Sequence, residues 1–142
     1  MTQSRPQRLI ADTAPPERLK HPMVTAKRLR IKDNTERDPV YLALVRQCPC
    51  LACGDEPCEA AHLRMQSAAH GKRGGIGKKP ADKWALPLCT ADHRRQHDKG
   101  ERAFWDILNI NPHLVAERLY AVRGDLVRMR EVIAKAMAGG LE

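Results

Sequence analysis

Leu88-Cys89-Thr90-Ala91-Asp92-His93-Arg94-Arg95-Gln96-His97 sets a thiol, a carboxylate and two imidazoles within a single turn-and-helix length of chain. Upstream, Cys50-Leu51-Ala52-Cys53-Gly54 provides a second half. Two residues between ligands let one tight turn present both to a metal ion. Cys50 and Cys53 have that spacing, and Gly54 supplies the positive-φ freedom such turns use. Cys89 and Asp92 repeat the spacing, with a carboxylate where a second thiolate is usual. The reading is a structural zinc on Cys50, Cys53 and Cys89, set against the plainer alternative of free buried thiols. The fourth ligand is open between Asp92, Cys58 and Cys48, with Cys48 the readiest bystander.

Outward from this pair, Thr90 is placed to cap a helix over 91–99 that Gly100 stops. On that helix His93 and His97 lie one turn apart on one face. Histidines so spaced occur by chance on helix surfaces. Here they follow the Cys89/Asp92 turn at once, so a metal at the turn would pin the helix and aim both rings. His62, in Ala60-Ala61-His62-Leu63-Arg64, belongs to a segment expected to be extended beside the helix. A neutral imidazole there can take a proton from water at cellular pH.

The bulk composition narrows the class. The 142 residues are one domain's worth, with 42% hydrophobic and only 4% aromatic residues, which argues against a large aromatic core. Lys and Arg number 25 against 17 Asp and Glu, a net charge of +8. That balance favours a polyanionic partner, nucleic acid first. Four of the five cysteines fall between 48 and 58, which fits metal binding better than a disulfide framework. No apolar run approaches the roughly 20 residues of a membrane span. Met1–Arg8 has no long apolar core behind its charges, so no secretory signal is read. The expectation is a cytoplasmic protein with reduced thiols.

Three regions follow. Residues 1–36 carry eight Lys or Arg against four Asp or Glu and show no period; they read as a loosely ordered basic arm, or as an extended segment packed on the domain. Residues 37–108 form the central domain, opened by Asp38-Pro39 as N-cap and first helical residue, with Tyr41, Leu42, Leu44 and Val45 as its apolar side. Residues 109–142 form a helical extension. Expected helices there start at Asn111-Pro112 and run over Leu126–Met137, after one over Glu101–Leu108 that buries Phe104, Trp105 and Leu108. Gly71–Lys79, with four glycines and four cations, reads as a mobile basic loop. It lacks the Gly-Lys-Ser/Thr ending of a phosphate-binding loop.

Cys-x-x-Cys, then Ala-His-x-Arg, then Lys-Pro-x-Asp and Leu-Cys-x-x-x-His-x-x-x-His together resemble the HNH (ββα-metal, or His-Me finger) endonucleases, over about residues 48–108. The nearest likeness is to small HNH proteins of phages and prophages. The resemblance implies an α+β fold: a zinc-stabilised ββα-metal core with additional C-terminal helices. It matches His62 to the general base, His93 and His97 to the imidazoles that hold a catalytic divalent ion, and Cys50, Cys53 and Cys89 to structural zinc ligands. It departs in three places. Ala61 stands where many members carry an Asp or His ligand. Trp84 stands at the usual Asn position, with Asp82 nearby as its functional replacement or, more plainly, a turn residue. Asp92 replaces a thiolate or imidazole. The expected function is metal-dependent hydrolysis of DNA, rather than RNA, with structural Zn²⁺ and catalytic Mg²⁺ or Mn²⁺, Ni²⁺ or Zn²⁺ being alternatives. Arg64, Lys72, Arg73, Lys78, Lys79, Arg94 and Arg95 are expected on the phosphates. The rivals are a non-catalytic zinc module that binds nucleic acid and an interaction protein docking through its C-terminal helices.

Overall fold

The structure, a computed structural model, describes residues 37–74 and 79–141. The basic arm and Lys78 lie outside the described residues. The protein has a mixed α+β architecture, with five helices and a small two-stranded sheet among the described residues.

Helix α1 (Pro39–Val45) begins as its first residues dictate. Asp38 Oδ1 accepts the Tyr41 N–H at 2.9 Å, and Pro39 occupies the first helical position, where no N–H is needed. The chain then turns through the cysteine segment. Gly54, at φ +81°, closes the turn by donating its N–H to the Cys50 carbonyl at 2.8 Å. Strand β1 (Glu59–His62) pairs antiparallel with β2 (Ala85–Leu88), Glu59 opposite Leu88 and His62 opposite Ala85. All four residues of β2 are buried. The Pro87 carbonyl accepts the Leu51 N–H at 3.0 Å, which hooks the cysteine turn onto the strand.

Helices α2 (Thr90–Lys99), α3 (Glu101–Leu108), α4 (Pro112–Ala121) and α5 (Leu126–Met137) follow. Gly100, at φ +85°, ends α2 and opens α3. Asn111 accepts the His113 and Leu114 N–H groups at the start of α4, and Asp125 accepts that of Arg128 at the start of α5. One expected cap is displaced. Cys89, not Thr90, is the N-cap of α2, its carbonyl accepting the His93 N–H at 2.8 Å. Thr90 is the first helical residue, and its hydroxyl donates to Glu59 Oε1 instead.

One apolar cluster joins the elements. Tyr41, Val45, Leu86, Leu88, Phe104, Trp105, Leu119, Met129 and Ile133 all belong to it, so the 109–142 segment shares its core with the strands. The few aromatics are concentrated there: Tyr41, Trp84, Phe104 and Trp105 are all buried. The Tyr41 hydroxyl donates to the Ala85 carbonyl at 3.2 Å. Truncating Trp105 to Ala would cost about 3–5 kcal/mol, as large core aromatics do. Helix α2 differs from the others. Its buried side chains are Asp92 and Gln96, so burial of apolar surface does little to hold it.

Candidate metal centre and histidine cavity

Cys50 and Cys53 come from the hooked turn, Cys89 from the end of β2 and Asp92 from the first turn of α2. Their donor atoms all lie within 4.8 Å of one another, close enough to bind one metal ion. Asp92 Oδ2 accepts from both the Cys50 and Cys89 thiols at 3.3 Å, and the Cys53 and Cys89 sulfurs are 3.7 Å apart. The other Asp92 oxygen faces Arg95 Nη1 at 3.5 Å. Burial alone would raise the Asp92 carboxyl; hydrogen bonds from Cys53, Cys89 and Cys50, with the Arg95 charge, outweigh it and hold the group below the usual carboxylate range. Burial first, and the neighbouring acidic groups with it, pushes the Cys53 and Cys89 thiols up. The protons of the Cys50 and Cys89 thiols are shared with this one carboxylate, that of Asp92. Metal uptake would displace them.

The other candidate fourth ligands lie elsewhere. Cys58 donates to the Asp55 carbonyl at 3.3 Å, and burial pushes its thiol up to about 12. Cys48 donates to the Leu44 carbonyl at 3.5 Å and is pushed up by burial to about 11.

The second constellation is built around His62 at the end of β1. His62 Nε2 lies 2.8 Å from Asp82 Oδ1. Asp82 sits in a short 3-10 turn, Asp82–Trp84, just ahead of β2 and is only 2% exposed. Its second oxygen accepts the Asp38 N–H at 2.7 Å, and Arg37 lies 3.5 Å from the first. Burial would raise this carboxyl; the bonds from His62 and Asp38, aided by the charges of His62 and Arg37, prevail and lower it. An ionised Asp82 can only accept, so the His62 proton resides on Nε2 and the basic lone pair on Nδ1. Asp82 is thus both a turn residue and the hydrogen-bond partner of an imidazole.

His62 opens on a cavity of about 220 Å³ lined also by Arg64, Gln96, His97, Gly100 and Glu101. His97 reaches it from α2. The His93 ring is 4.9 Å from that of His97, centroid to centroid, and its Nδ1 meets Glu59 Oε2 at 2.6 Å. The His93 hydrogen bond chiefly keeps the Glu59 carboxyl below its ordinary range. Ala61 is buried on β1 opposite Leu86 and offers no donor. Among the described residues, only the Cys50/Cys53/Cys89/Asp92 group gathers three or more metal donors. A larger cavity of about 640 Å³ lies along α3, α4 and the end of α5; His113 lines it, but neither His62 nor a cluster donor does.

The basic residues divide. Arg64, Arg73, Lys79, Arg94 and Arg95 are exposed. Lys72 is not: it is 6% exposed and donates to the Arg64 carbonyl at 3.3 Å. Burial lowers its ammonium, and Glu101 partly offsets this. A 3-10 turn, Ala68–His70, and a Ser67–Lys72 bridge carry Lys72, at the start of the expected loop, inward. That placement takes Lys72 off the exposed phosphate-contacting surface expected from sequence.

A family model described as "Protein of unknown function (DUF968)" matches residues 10–110. The chain belongs to that family. The DUF968 match spans the cysteine turn, His62, Asp82, and helices α2 and α3, so both constellations fall inside it, while α4 and α5 lie beyond. No curated protein and no solved structure matches the chain. No described helix is long and apolar enough to cross a membrane.

Three contributors escaped the sequence reading. Glu59 holds His93 from 34 positions away. Glu101 accepts the Arg64 and Met65 N–H groups beyond the end of β1. Gln96 lines the histidine cavity. Glu59 and Glu101 act through long-range pairings that leave no local pattern. Gln96 did leave one, being one turn beyond Asp92 on the same helix face.

Proposed function

We propose that the protein is a metal-dependent endonuclease that hydrolyses DNA phosphodiester bonds, with a zinc-stabilised ββα-metal core formed by β1, β2 and α2. The observation that carries this reading is the shared cavity: an imidazole oriented by a buried carboxylate, His62 on Asp82, opens onto the space that His97 enters from α2. A binding module has no use for that pairing.

The thiol-rich donor set of Cys50, Cys53, Cys89 and Asp92 suits zinc, which takes soft sulfur ligands in a closed tetrahedron. Its role would be to fasten α2, the helix that lacks an apolar anchor, to the cysteine turn. A second divalent ion fits the pair His93 and His97, with remaining positions left to water and phosphate oxygens, as hard cations accept. When bound, such an ion neutralises charge developing on the phosphate and on the leaving oxygen. His62 Nδ1 takes a proton from water, the water oxygen attacks phosphorus, and the bond to the 3′-oxygen breaks, that oxygen taking a proton from solvent. Asp82 stabilises the imidazolium formed. Arg64, Arg73, Lys79, Arg94 and Arg95 would contact phosphates without reading sequence.

One observation favours a second reading. Ala61 supplies no ligand, and no second group of three donors gathers among the described residues. A non-catalytic zinc module that binds nucleic acid would look the same at the cysteine cluster. Incubating zinc-loaded protein with supercoiled plasmid in Mg²⁺, Mn²⁺ or Ni²⁺ separates the two. Nicked or linear product that EDTA prevents is expected of the nuclease; binding without cleavage under every metal selects the module.

A further inference from the structure

Gln96 is 3% exposed, and its Nε2 is buried with no hydrogen-bond partner among the described residues. Native interiors rarely leave an amide donor so placed, because its lost hydration is not recovered. An apolar side chain of the same length would hold α2 to the sheet better. The position is also one of the walls of the His62/His97 cavity. The remaining polar walls tell what the cavity can receive. Glu101 is committed: its two oxygens accept the Arg64 N–H at 2.8 and 3.1 Å and the Met65 N–H at 2.7 Å. The exposed Arg64 guanidinium, two imidazoles and the Gln96 amide are left, a set that complements an anion carrying several acceptor oxygens.

We propose that Gln96 donates from Nε2 to a non-bridging oxygen of the scissile phosphodiester, and is thus a substrate-contacting residue of the site. This rests on the nuclease reading. The donor goes unpaired at a cost to the free protein, and a rotation of the Gln96 side chain into the cavity would bring it to its acceptor when DNA enters, so its contribution appears as charge grows on the phosphate. It also lies next to His97 in the chain, so one turn of α2 would bring both the ion-holding imidazole and the phosphate donor to the reacting group.

The test compares full-length, zinc-loaded wild type with Gln96→Met and Gln96→Glu, measuring melting temperature, plasmid affinity and Mg²⁺-dependent plasmid cleavage. Gln96→Met should melt no lower than wild type and bind plasmid equally, yet cleave roughly 10²-fold more slowly. Gln96→Glu keeps the shape but sets a carboxylate against the phosphate, and should be slower still. Gln96→Met that cleaves at the wild-type rate would overturn the inference alone, as would a fall in its melting temperature that tracks lost activity. A wild type that cleaves no DNA would overturn the nuclease reading and this inference with it.

Discussion

The two constellations differ in how complete they are without a ligand. At the cysteine cluster four donors from three parts of the chain already converge, and all are within 4.8 Å of one another. At the histidine cavity one pairing is tight, His62 on Asp82 at 2.8 Å, while His93 is turned to Glu59, Ala61 is silent and Gln96 Nε2 has no partner among the described residues. A closed site suits a permanent structural ion, and an open one suits an ion and substrate that come and go. The two are joined by α2, which carries Asp92 into the first and Gln96 and His97 into the second.

The strongest way to break this contrast is to open the closed site. On the proposed reading of the cluster as a structural zinc site, Cys89→Ser should strip the metal and abolish the cooperative melt of the protein, because binding to such a site is coupled to folding. Metal analysis beside thermal unfolding checks it; a metal-free variant that melts like wild type would leave the cluster without a structural role.

Next comes the pairing within the open site. Asp82→Asn preserves the shape and can still accept from the Asp38 N–H, but an amide no longer fixes the His62 tautomer or stabilises its charged form. Cleavage should fall on the order of 10²–10³-fold, with zinc content unchanged. Equal rates in wild type and variant would return Asp82 to being a turn residue.

A smaller effect concerns the exposed cations. Replacing Arg73, Lys79, Arg94 and Arg95 together by Ala should reduce the slope of log affinity against log salt by roughly one unit for each phosphate that the protein no longer neutralises. Lys72→Met, by contrast, should leave the slope unchanged, since Lys72 is turned inward.

The smallest effect lies away from both sites. His113 is buried, its Nε2 meets the Met65 carbonyl at 3.0 Å, and burial lowers its pKa below the ordinary 6.5. A depressed folded pKa means that the unfolded chain binds the proton first. The stability that neutral His113 provides is full above about 6.5 and is lost as pH falls below it, toward the folded value. His113→Asn should flatten the fall in melting temperature between pH 7 and 5, and an unaltered profile would contradict the assignment.

Much of this was legible in the chain. Glu101–Leu108 and Leu126–Met137 could be bounded because Gly100, Gly124-Asp125 and Gly139 punctuate strong apolar periods. The cysteine spacing picked out three of the four side chains that converge, and left the fourth open between Asp92, Cys58 and Cys48. What stayed hidden depends on partners distant in sequence. Thr90 looked like a cap until Glu59 claimed its hydroxyl. Lys72 looked solvated among glycines, but a short turn and the Arg64 carbonyl draw it in. Gln96 shares the helix face of Asp92, but nothing local shows that its amide is buried. Only the packing of α2 against β1 and β2 makes it a buried donor.

The central claim is that His62, oriented by Asp82, activates water beside an ion held from α2. Zinc-loaded wild type and His62→Ala, matched for metal content, melting temperature and plasmid binding, should be compared for Mg²⁺-dependent nicking of supercoiled DNA. The account predicts cleavage by wild type and a loss of about 10²–10⁴-fold in the variant, the range of a general base. Undiminished nicking by His62→Ala, or none by wild type under any divalent ion, would contradict it.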